Sequence, residues 1–243
     1  MKILAFDTST ESLSIALTDG TRQWHHSGAG GAQASLTLLP MIESLMRQAA
    51  LRYGELDAIA FGAGPGSFTG LRTACSVAQG LGFAAGVRLL PVDSLLAVAE
   101  EARFVHGPAA FVLAALDARM SQLYVARYAF ADEQFTQIGD FELIAPNDLA
   151  IDAGWRLAGN ALPTYADRLP PVAQASHVAA LPSAEAMLRL APALIAAGAL
   201  VEPEHALPRY VRDKVAQTTA ERAAIAAAAA TAAVAPPASP TVS

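Results

Sequence analysis

The feature that most constrains the fold of this chain is a segment that occurs twice, once in each half. Residues 3–6 form a short apolar run that ends at Asp7, and residues 113–116 form a second apolar run that ends at Asp117. In both copies an alternating apolar segment begins six residues after the aspartate, which is the period of a half-buried strand. We interpret the two copies as an internal duplication of a strand–aspartate–hairpin unit.

Two α/β halves that each open with such a unit describe the fold shared by actin, hexokinase and the Hsp70 ATPase. We therefore predict a two-lobed α/β fold of this actin/hexokinase/Hsp70-like (ASKHA) type, in which each lobe is a mixed sheet with flanking helices. The predicted lobes span residues 1–105 and 106–218. Residues 219–243 are rich in Ala and Pro, and we expect the end of this tail to be disordered. A shared fold does not by itself specify a function.

Composition and charge exclude some classes of function. The net charge is −6 and lysine occurs only at Lys2 and Lys214, which argues against a chain that grips nucleic acid alone, because phosphate binding needs a concentrated basic surface. Cys75 is the only cysteine, so no intrachain disulfide forms, as expected in a reducing compartment. Neither a signal peptide nor an apolar stretch of membrane-spanning length is evident. We expect a cytoplasmic protein with no membrane contact.

The most distinctive motif is Gly64-Pro65-Gly66-Ser67-Phe68-Thr69-Gly70-Leu71-Arg72. Its glycines permit tight turns and close backbone approach, and Ser67 or Thr69 can cap a helix predicted over about residues 71–85. The start of that helix favours an anion, but no Gly-Lys-Ser/Thr follows, so the motif is not a Walker P-loop. A purely structural strand-to-helix turn is an equal alternative, and Phe68 at the tip of the glycine loop favours a functional role.

Asp7 and Asp117 admit two interpretations. As a pair they could form a phosphate–metal cleft, which would make the chain a small ATPase or phosphotransferase. Alternatively, each aspartate caps its own turn. The five histidines have no metal-ligand spacing, so we predict no dedicated metal site. A peptidase is a further alternative, although Cys75 lies in a predicted helix and no nucleophile-elbow pattern is present.

Two predicted helices carry more apolar and small residues than their own packing requires. The first helix, about residues 35–51, places Leu36, Leu39, Ile42, Leu45, Met46 and Ala49 on one face. It also carries Leu38 and Met41. Ser76, Gly80 and Ala84 form a small-residue stripe on the second helix, which taken alone favours packing on the protein's own sheet. These additional apolar and small residues suggest that the two helices form a partner-binding surface.

The sequence resembles the TsaB (YeaZ) family. The resemblance extends to about residue 215 and rests on five segments: residues 3–10, residues 64–72, Ala78-Gln79-Gly80-Leu81, Asp117-Ala118-Arg119-Met120 and Pro208-Arg209-Tyr210-Val211-Arg212. Many relatives have a histidine six residues before the proline of the first helix, whereas this chain has Ala34 there. A role for a histidine at that position is therefore in doubt.

The resemblance implies a non-catalytic subunit of the enzyme system that installs threonylcarbamoyladenosine in tRNA. TsaB is a paralogue of the catalytic subunit TsaD with the same two-lobed fold, and it lacks the pair of metal-binding histidines of TsaD. It forms a homodimer alone and a heterodimer with TsaD through its first two helices, and the ATPase TsaE joins that heterodimer. Contact with tRNA occurs only through the complex. No catalytic residue and no tightly bound cofactor are implied, and ATP or ADP at the complex interface stays open.

Carried over by position, the resemblance assigns two sets of residues in this sequence. The loops on the nucleotide and partner side comprise Asp7, Thr8, Ser9, Thr10, Gly64, Pro65, Gly66, Ser67, Phe68, Thr69, Gly70, Arg72, Asp117 and Arg119. The dimer interface comprises Leu38, Met41, Ile42, Leu45, Met46, Ser76, Gly80 and Ala84.

Overall fold

A computed structural model of the chain describes residues 1–211, in which ten strands form two five-stranded sheets. The strands are β1 (Ile3–Asp7), β2 (Ser12–Thr18), β3 (Gln23–Ala29), β4 (Ala58–Gly64), β5 (Leu89–Asp93), β6 (Phe111–Asp117), β7 (Leu123–Ala131), β8 (Gln134–Ile144), β9 (Arg156–Gly159) and β10 (His177–Ala179). The helices are α1 (Ala34–Ala49), α2 (Phe68–Ala85), α3 (Ser94–His106), α4 (Ala161–Tyr165), α5 (Pro171–Ala175) and α6 (Ala184–Ala196). The predicted tail, residues 219–243, lies outside the described residues.

The two sheets have the same topology. Their strand orders are β3-β2-β1-β4-β5 and β8-β7-β6-β9-β10. In each, three antiparallel strands form a meander, and two further strands run parallel to its first strand. Asp7 and Asp117 are the last residues of the equivalent strands β1 and β6. The predicted duplication and the two-lobed ASKHA-type fold are confirmed.

Local sequence explains the helix that follows the glycine motif. Ser67 precedes α2, and its Oγ accepts a hydrogen bond from the Gly70 N–H at 3.4 Å, which satisfies one of the free amides of the first turn. The helix ends at Gly86, whose φ of +66° is the left-handed conformation common after a helix. The predicted start at Leu71 was therefore three residues late, and Phe68 is the first helical residue.

Three further details fix element boundaries. Pro40 lies inside α1 at its seventh position. The strand β3 pairs with β2 as far as Ala29. Pro146–Asp148 forms one 3-10 turn.

The last helix returns to the first sheet. Met187 and Ala191 of α6 pack with Ile3, Ala5 and Ala60 in one buried cluster. The sequence boundary near residue 105 therefore does not separate the helices that cover each sheet. Between α3 and α6, the buried Glu100 accepts hydrogen bonds from Arg103 at 2.6 and 2.8 Å and from Arg189 at 2.7 Å. These charge-assisted bonds join the two helices.

Residues 206–211, which we call the strap, cross from α2 to the second sheet. The Ala206 carbonyl accepts hydrogen bonds from Gln79 Nε2 at 3.0 Å and from Cys75 Sγ at 3.3 Å on α2. The Arg209 N–H donates to the Ala63 carbonyl of β4 at 2.7 Å. Val211 packs against the core of the second lobe. The strap therefore contacts both lobes. No helix among residues 1–211 has the length and apolarity to cross a membrane.

Candidate functional site

The first aspartate turn is buried. Asp7 is 1% exposed. Its Oδ1 accepts hydrogen bonds from the Ser9 N–H at 2.8 Å and from the Ser9 hydroxyl at 2.7 Å. The Ser94 hydroxyl lies 3.5 Å from Oδ2. Burial raises the pKa of Asp7 to about 6, and the hydrogen bonds from Ser9 and Ser94 oppose that rise. Asp7 therefore caps its own turn, which is the structural alternative of the sequence analysis.

The glycine motif packs backbone to backbone on this turn. The Ser67 N–H donates to the Ser9 carbonyl at 2.7 Å, and the Thr8 hydroxyl donates to the Gly70 carbonyl at 2.7 Å. A Cβ atom on Gly66 would lie 2.6 Å from the Ser9 carbonyl oxygen, and one on Gly70 would lie 1.8 Å from the Thr8 carbonyl oxygen. The two glycines thus permit a contact that no side chain would fit. The motif covers the turn and leaves no space between them for a phosphate group.

Further contacts hold Thr10 and the beginning of the glycine motif in place. The Thr10 hydroxyl accepts a hydrogen bond from the Ser12 N–H at 3.2 Å. Pro65 is buried, and a Cβ atom on Gly64 would lie 2.6 Å from the Arg209 carbonyl oxygen. The strap therefore covers the beginning of the motif as the Thr8–Ser9 turn covers its end.

The second aspartate turn is more open. The Asp117 side chain is 10% exposed, and its Oδ1 accepts hydrogen bonds from the Tyr165 hydroxyl at 2.7 Å and the Arg119 N–H at 2.8 Å. Burial, followed by the hydrogen bond to Asp117, raises the pKa of Tyr165 to about 12. The Arg119 guanidinium lies 3.6 Å from the other oxygen of Asp117, and it also pairs with Glu11 in the first turn. Glu11 and Arg119 therefore join the two turns across the lobes.

Phe68 and Arg72 form a cluster with the strap. The Arg72 guanidinium carbon lies 3.8 Å from the centre of the Phe68 ring, and Arg72 Nε donates a hydrogen bond to the Tyr210 hydroxyl at 3.0 Å. The Phe68 and Tyr210 rings are 5.6 Å apart, centre to centre. The cation–π contact and the hydrogen bond restrain a side chain that is otherwise exposed. Phe68, at the start of α2, is thus partly exposed and supports the arginine.

The predicted interface residues of α1 lie largely inside this chain. Leu38, Ile42, Leu45 and Met46 are buried in the protein's own core, and Met41 packs against it. They cover the first sheet because positions 38, 42, 45, 46 and 49 fall on one helical face. Leu36, predicted for that face, is 77% exposed, and Leu39 is also exposed. The apolar residues that α1 presents to solvent are therefore Leu36 and Leu39.

The small-residue stripe of α2 faces solvent. Ser76, Gly80 and Ala84 are all exposed, and nothing lies within 4 Å of a Cβ atom built on Gly80. Packing of this stripe on the protein's own sheet, which the stripe alone favoured, is therefore wrong. Phe83, one position from the stripe, is 61% exposed. The outer side of α2 thus combines a shallow small-residue surface with a large apolar side chain.

A depression of about 470 Å³ lies where α1 and α2 begin. The residues that line it are Ser35, Phe68, Thr69, Arg72, Thr73, Ser76 and Val77. Leu39 follows Ser35 by four residues and so lies on the same side of α1. We call the surface formed by the depression, the exposed leucines of α1 and the stripe of α2 the α1/α2 face.

Residues 1–211 contain no group of three His, Cys, Asp or Glu side chains placed to hold a metal ion. Cys75 is buried, and burial raises the pKa of its thiol, which donates to the Ala206 carbonyl. Its position favours a packing role.

Several contributors were missed by sequence reasoning. Ser94 follows β5, which is parallel to β1, so its position at the same sheet edge as Asp7 was available from topology. Glu11, Tyr165 and Tyr210 carried no local signal, because their partners are distant in sequence. Tyr210 lies in the closing motif, but its contact with Arg72 spans 138 residues.

Comparison with known proteins gives consistent results. The family model described as TsaD, tRNA N6-adenosine threonylcarbamoyltransferase, matches residues 31–220. The tRNA threonylcarbamoyladenosine biosynthesis protein TsaB of Escherichia coli (strain K12) is 33% identical over 225 residues, which cover 89% of this chain and 96% of that protein. The TsaB protein of Haemophilus influenzae is 39% identical over 127 residues, covering 52% of this chain and 53% of that protein.

Solved structures agree with these matches. The structure of YeaZ from Pseudomonas aeruginosa is 39% identical to this chain with a TM-score of 0.79, and the match covers 86% of this chain and 99% of that one. A second structure, described as an uncharacterized protein with similarity to peptidase YEAZ from Pseudomonas aeruginosa, is 38% identical with a TM-score of 0.79 and covers 87% of this chain and 99% of that one.

Proposed function

The chain belongs to the TsaB (YeaZ) family, and from that premise we propose that it is a non-catalytic dimerisation and activating subunit in the biosynthesis of threonylcarbamoyladenosine in tRNA. Its partners are TsaD, which carries the transfer chemistry, and TsaE, which joins the pair. Alone the chain forms a homodimer, and it contacts tRNA only within the complex. The match of residues 31–220 to the TsaD family model supports kinship between the chain and its proposed partner.

The observation that carries this proposal is the exposed character of the α1/α2 face. Leu36, Leu39 and Phe83 present large apolar side chains to solvent, and the exposed stripe centred on Gly80 offers a close approach. Large apolar side chains that project from adjacent helices are typical of a protein–protein contact. A helix of a partner can approach α2 closely at Gly80, because no side chain separates the backbones.

The geometry of the first turn supports the absence of chemistry in this subunit. A phosphotransferase of this fold would need Asp7 to reach a metal-bound water near the phosphates. In this structure Ser9 donates two hydrogen bonds to Oδ1 of Asp7, and the glycine motif covers the turn. The position of Cys75 gives no support to the peptidase alternative, because its thiol is buried against the strap.

The proposal is tested by measuring mass and activity together. Light scattering gives the mass of the chain alone and mixed with TsaD, and tRNA modification is measured with TsaD and TsaE, with and without the chain. We expect a dimer alone, a heterodimer with TsaD, no ATP turnover by the isolated chain, and modification that requires it. A chain that stays monomeric beside TsaD and hydrolyses ATP unaided would refute the proposal and favour the phosphotransferase.

A matched pair of substitutions tests the surface itself. Gly80→Leu places a branched side chain in the open stripe, where it blocks close approach and where its Cβ atom would have nothing within 4 Å. Ala193→Leu makes a similar change at an exposed position of α6, away from the α1/α2 face. We expect Gly80→Leu to abolish heterodimer formation and tRNA modification, while Ala193→Leu preserves both. Equal behaviour of the two variants would place the interface elsewhere.

A further inference from the structure

We propose that Tyr210 of the strap is a positioning residue of the α1/α2 face, which holds the Arg72 guanidinium so that its terminal amines bind a carboxylate of the protein partner. This inference rests on the proposed function and specifies the chemistry of its interface. It also adds a third element, the strap, to the α1/α2 face, because Tyr210 of the strap lies beside Phe68 of α2.

The geometry of Arg72 leaves one side of its guanidinium available. Phe68 covers one plane at 3.8 Å, and Nε is engaged by the Tyr210 hydroxyl at 3.0 Å. Among residues 1–211, no acceptor is bound to either terminal amine of Arg72. A guanidinium held in this way presents two parallel N–H groups, which match the two oxygens of a carboxylate.

The surroundings of Arg72 favour an anionic group. The depression is lined by the hydroxyl-bearing residues Ser35, Thr69, Thr73 and Ser76, and no lining residue among residues 1–211 carries a carboxylate. It lies at the beginnings of α1 and α2, and neither helix has an acidic residue in its first turn. The positive ends of both helix dipoles therefore add to the charge of Arg72. The occupant we assign is an acidic side chain of the partner, because the depression opens onto the apolar surface that a protein would cover.

The strap is fixed independently of Arg72, so it can act as a support. Its Ala206 carbonyl is held by Gln79 and Cys75, and Arg209 pairs with Asp93 at 2.7 Å. Leu207, between these anchors, is 70% exposed and adds an apolar side chain beside α2. These anchors fix the strap, and Tyr210 of the strap in turn restrains Arg72.

A double-mutant cycle tests the positioning role. The affinity of purified TsaD is measured for the full chain, Arg72→Gln, Tyr210→Phe and the double variant, at several salt concentrations. We expect Arg72→Gln to weaken binding roughly tenfold and to flatten its salt dependence, since a charge-assisted pair is lost. Tyr210→Phe keeps the ring and removes the acceptor, so we expect a several-fold loss that disappears in the Arg72→Gln background. Additive effects would overturn the positioning role.

A second pair of variants excludes a merely structural explanation. Thr69→Asp places a carboxylate in the first turn of α2, where it can pair with Arg72 within the chain and also favour the helix dipole. We expect it to keep or raise Tm while it weakens TsaD binding, whereas Ala193→Asp, which adds the same charge at an exposed position of α6, leaves binding near the wild-type value. A loss of Tm that accompanies the loss of binding, or full binding by Thr69→Asp, would overturn the inference.

The outcomes separate this inference from the proposed function. If the unmodified chain fails to bind TsaD, both are overturned. If it binds and Gly80→Leu abolishes binding, but Arg72→Gln keeps the wild-type affinity and salt dependence, only the carboxylate inference is overturned. If the isolated chain binds ADP and Arg72→Gln prevents it, the depression takes a phosphate and the assignment of its occupant is wrong.

Discussion

Two glycines of α2 provide a direct test of how its two sides are used. Gly70 and Gly80 lie ten residues apart in the same helix, so replacement by alanine gives each site a similar gain in helix propensity, about 1 kcal/mol. Their surroundings are opposite. A Cβ atom on Gly70 would lie 1.8 Å from the Thr8 carbonyl oxygen, whereas one on Gly80 has nothing within 4 Å.

The magnitudes follow from these contacts. In Gly70→Ala the first turn of α2 must move away from Thr8, which introduces strain of roughly 1–3 kcal/mol and disturbs the 2.7 Å hydrogen bond from the Thr8 hydroxyl, worth about 1 kcal/mol. After the gain in propensity, the net loss is about 1–3 kcal/mol. Gly80→Ala keeps the whole gain, so we expect it to stabilise the fold by about 1 kcal/mol.

The assay is thermal or urea unfolding of the full chain, diluted until light scattering reports a monomer, because the proposed homodimer would cover Gly80. One kcal/mol corresponds to roughly 2–4 °C in Tm for a domain of this size, so Gly70→Ala lowers Tm by several degrees while Gly80→Ala raises it. Only Gly70→Ala is expected to disturb the Asp7 turn. A stabilising Gly70→Ala would refute the close packing of the glycine motif on the turn. A destabilising Gly80→Ala would show that α2 is covered at Gly80 in the isolated chain.

Three further predictions follow from buried groups. Because burial raises the pKa of Asp7 in the folded state from 3.8 to about 6, the contribution of Asp7 to stability is fully present below about pH 4 and is lost as the pH rises to about 6. Asp7→Asn should therefore gain about 3 kcal/mol relative to wild type over that window, measured by urea unfolding at each pH. The Cys75 thiol is buried, so we expect a thiol reagent to label it only at the rate of unfolding, and rapid labelling of native protein would contradict its position. Glu100→Gln leaves the Arg103 and Arg189 guanidinium groups beside each other, and we expect a loss of about 3 kcal/mol, seen as a lower urea midpoint; an unchanged midpoint would show that the pairs contribute no net stability.

The duplicated fold was predictable because its signal is local. A buried strand, an aspartate and an alternating strand occupy about fifteen consecutive residues, and both copies have the spacing that a hairpin requires. The structure confirms both meanders. The boundary of the lobes near residue 105 stays a prediction, and α6, from the second half of the sequence, packs on the first sheet.

The burial of α1 could not be predicted from its pattern. Eight apolar residues between 36 and 49 allow two overlapping apolar faces, and the periodicity does not say which of them meets the sheet. In the structure the face that contains Leu38 and Ile42 is covered, so Leu36 and Leu39 lie outside. The sequence indicated that a surplus existed, but only the packing shows which residues form it.

The two aspartate turns show how a shared local pattern diverges through distant contacts. Each aspartate accepts a hydrogen bond from the backbone N–H two residues later, as the duplication implies. The difference comes from the glycine motif, some sixty residues after Asp7, which covers the first turn, while Asp117 in the second turn accepts hydrogen bonds from Tyr165 and Arg119. The same packing that encloses Asp7 begins α2 at Phe68, and it leaves Phe68 and Arg72 exposed at the α1/α2 face.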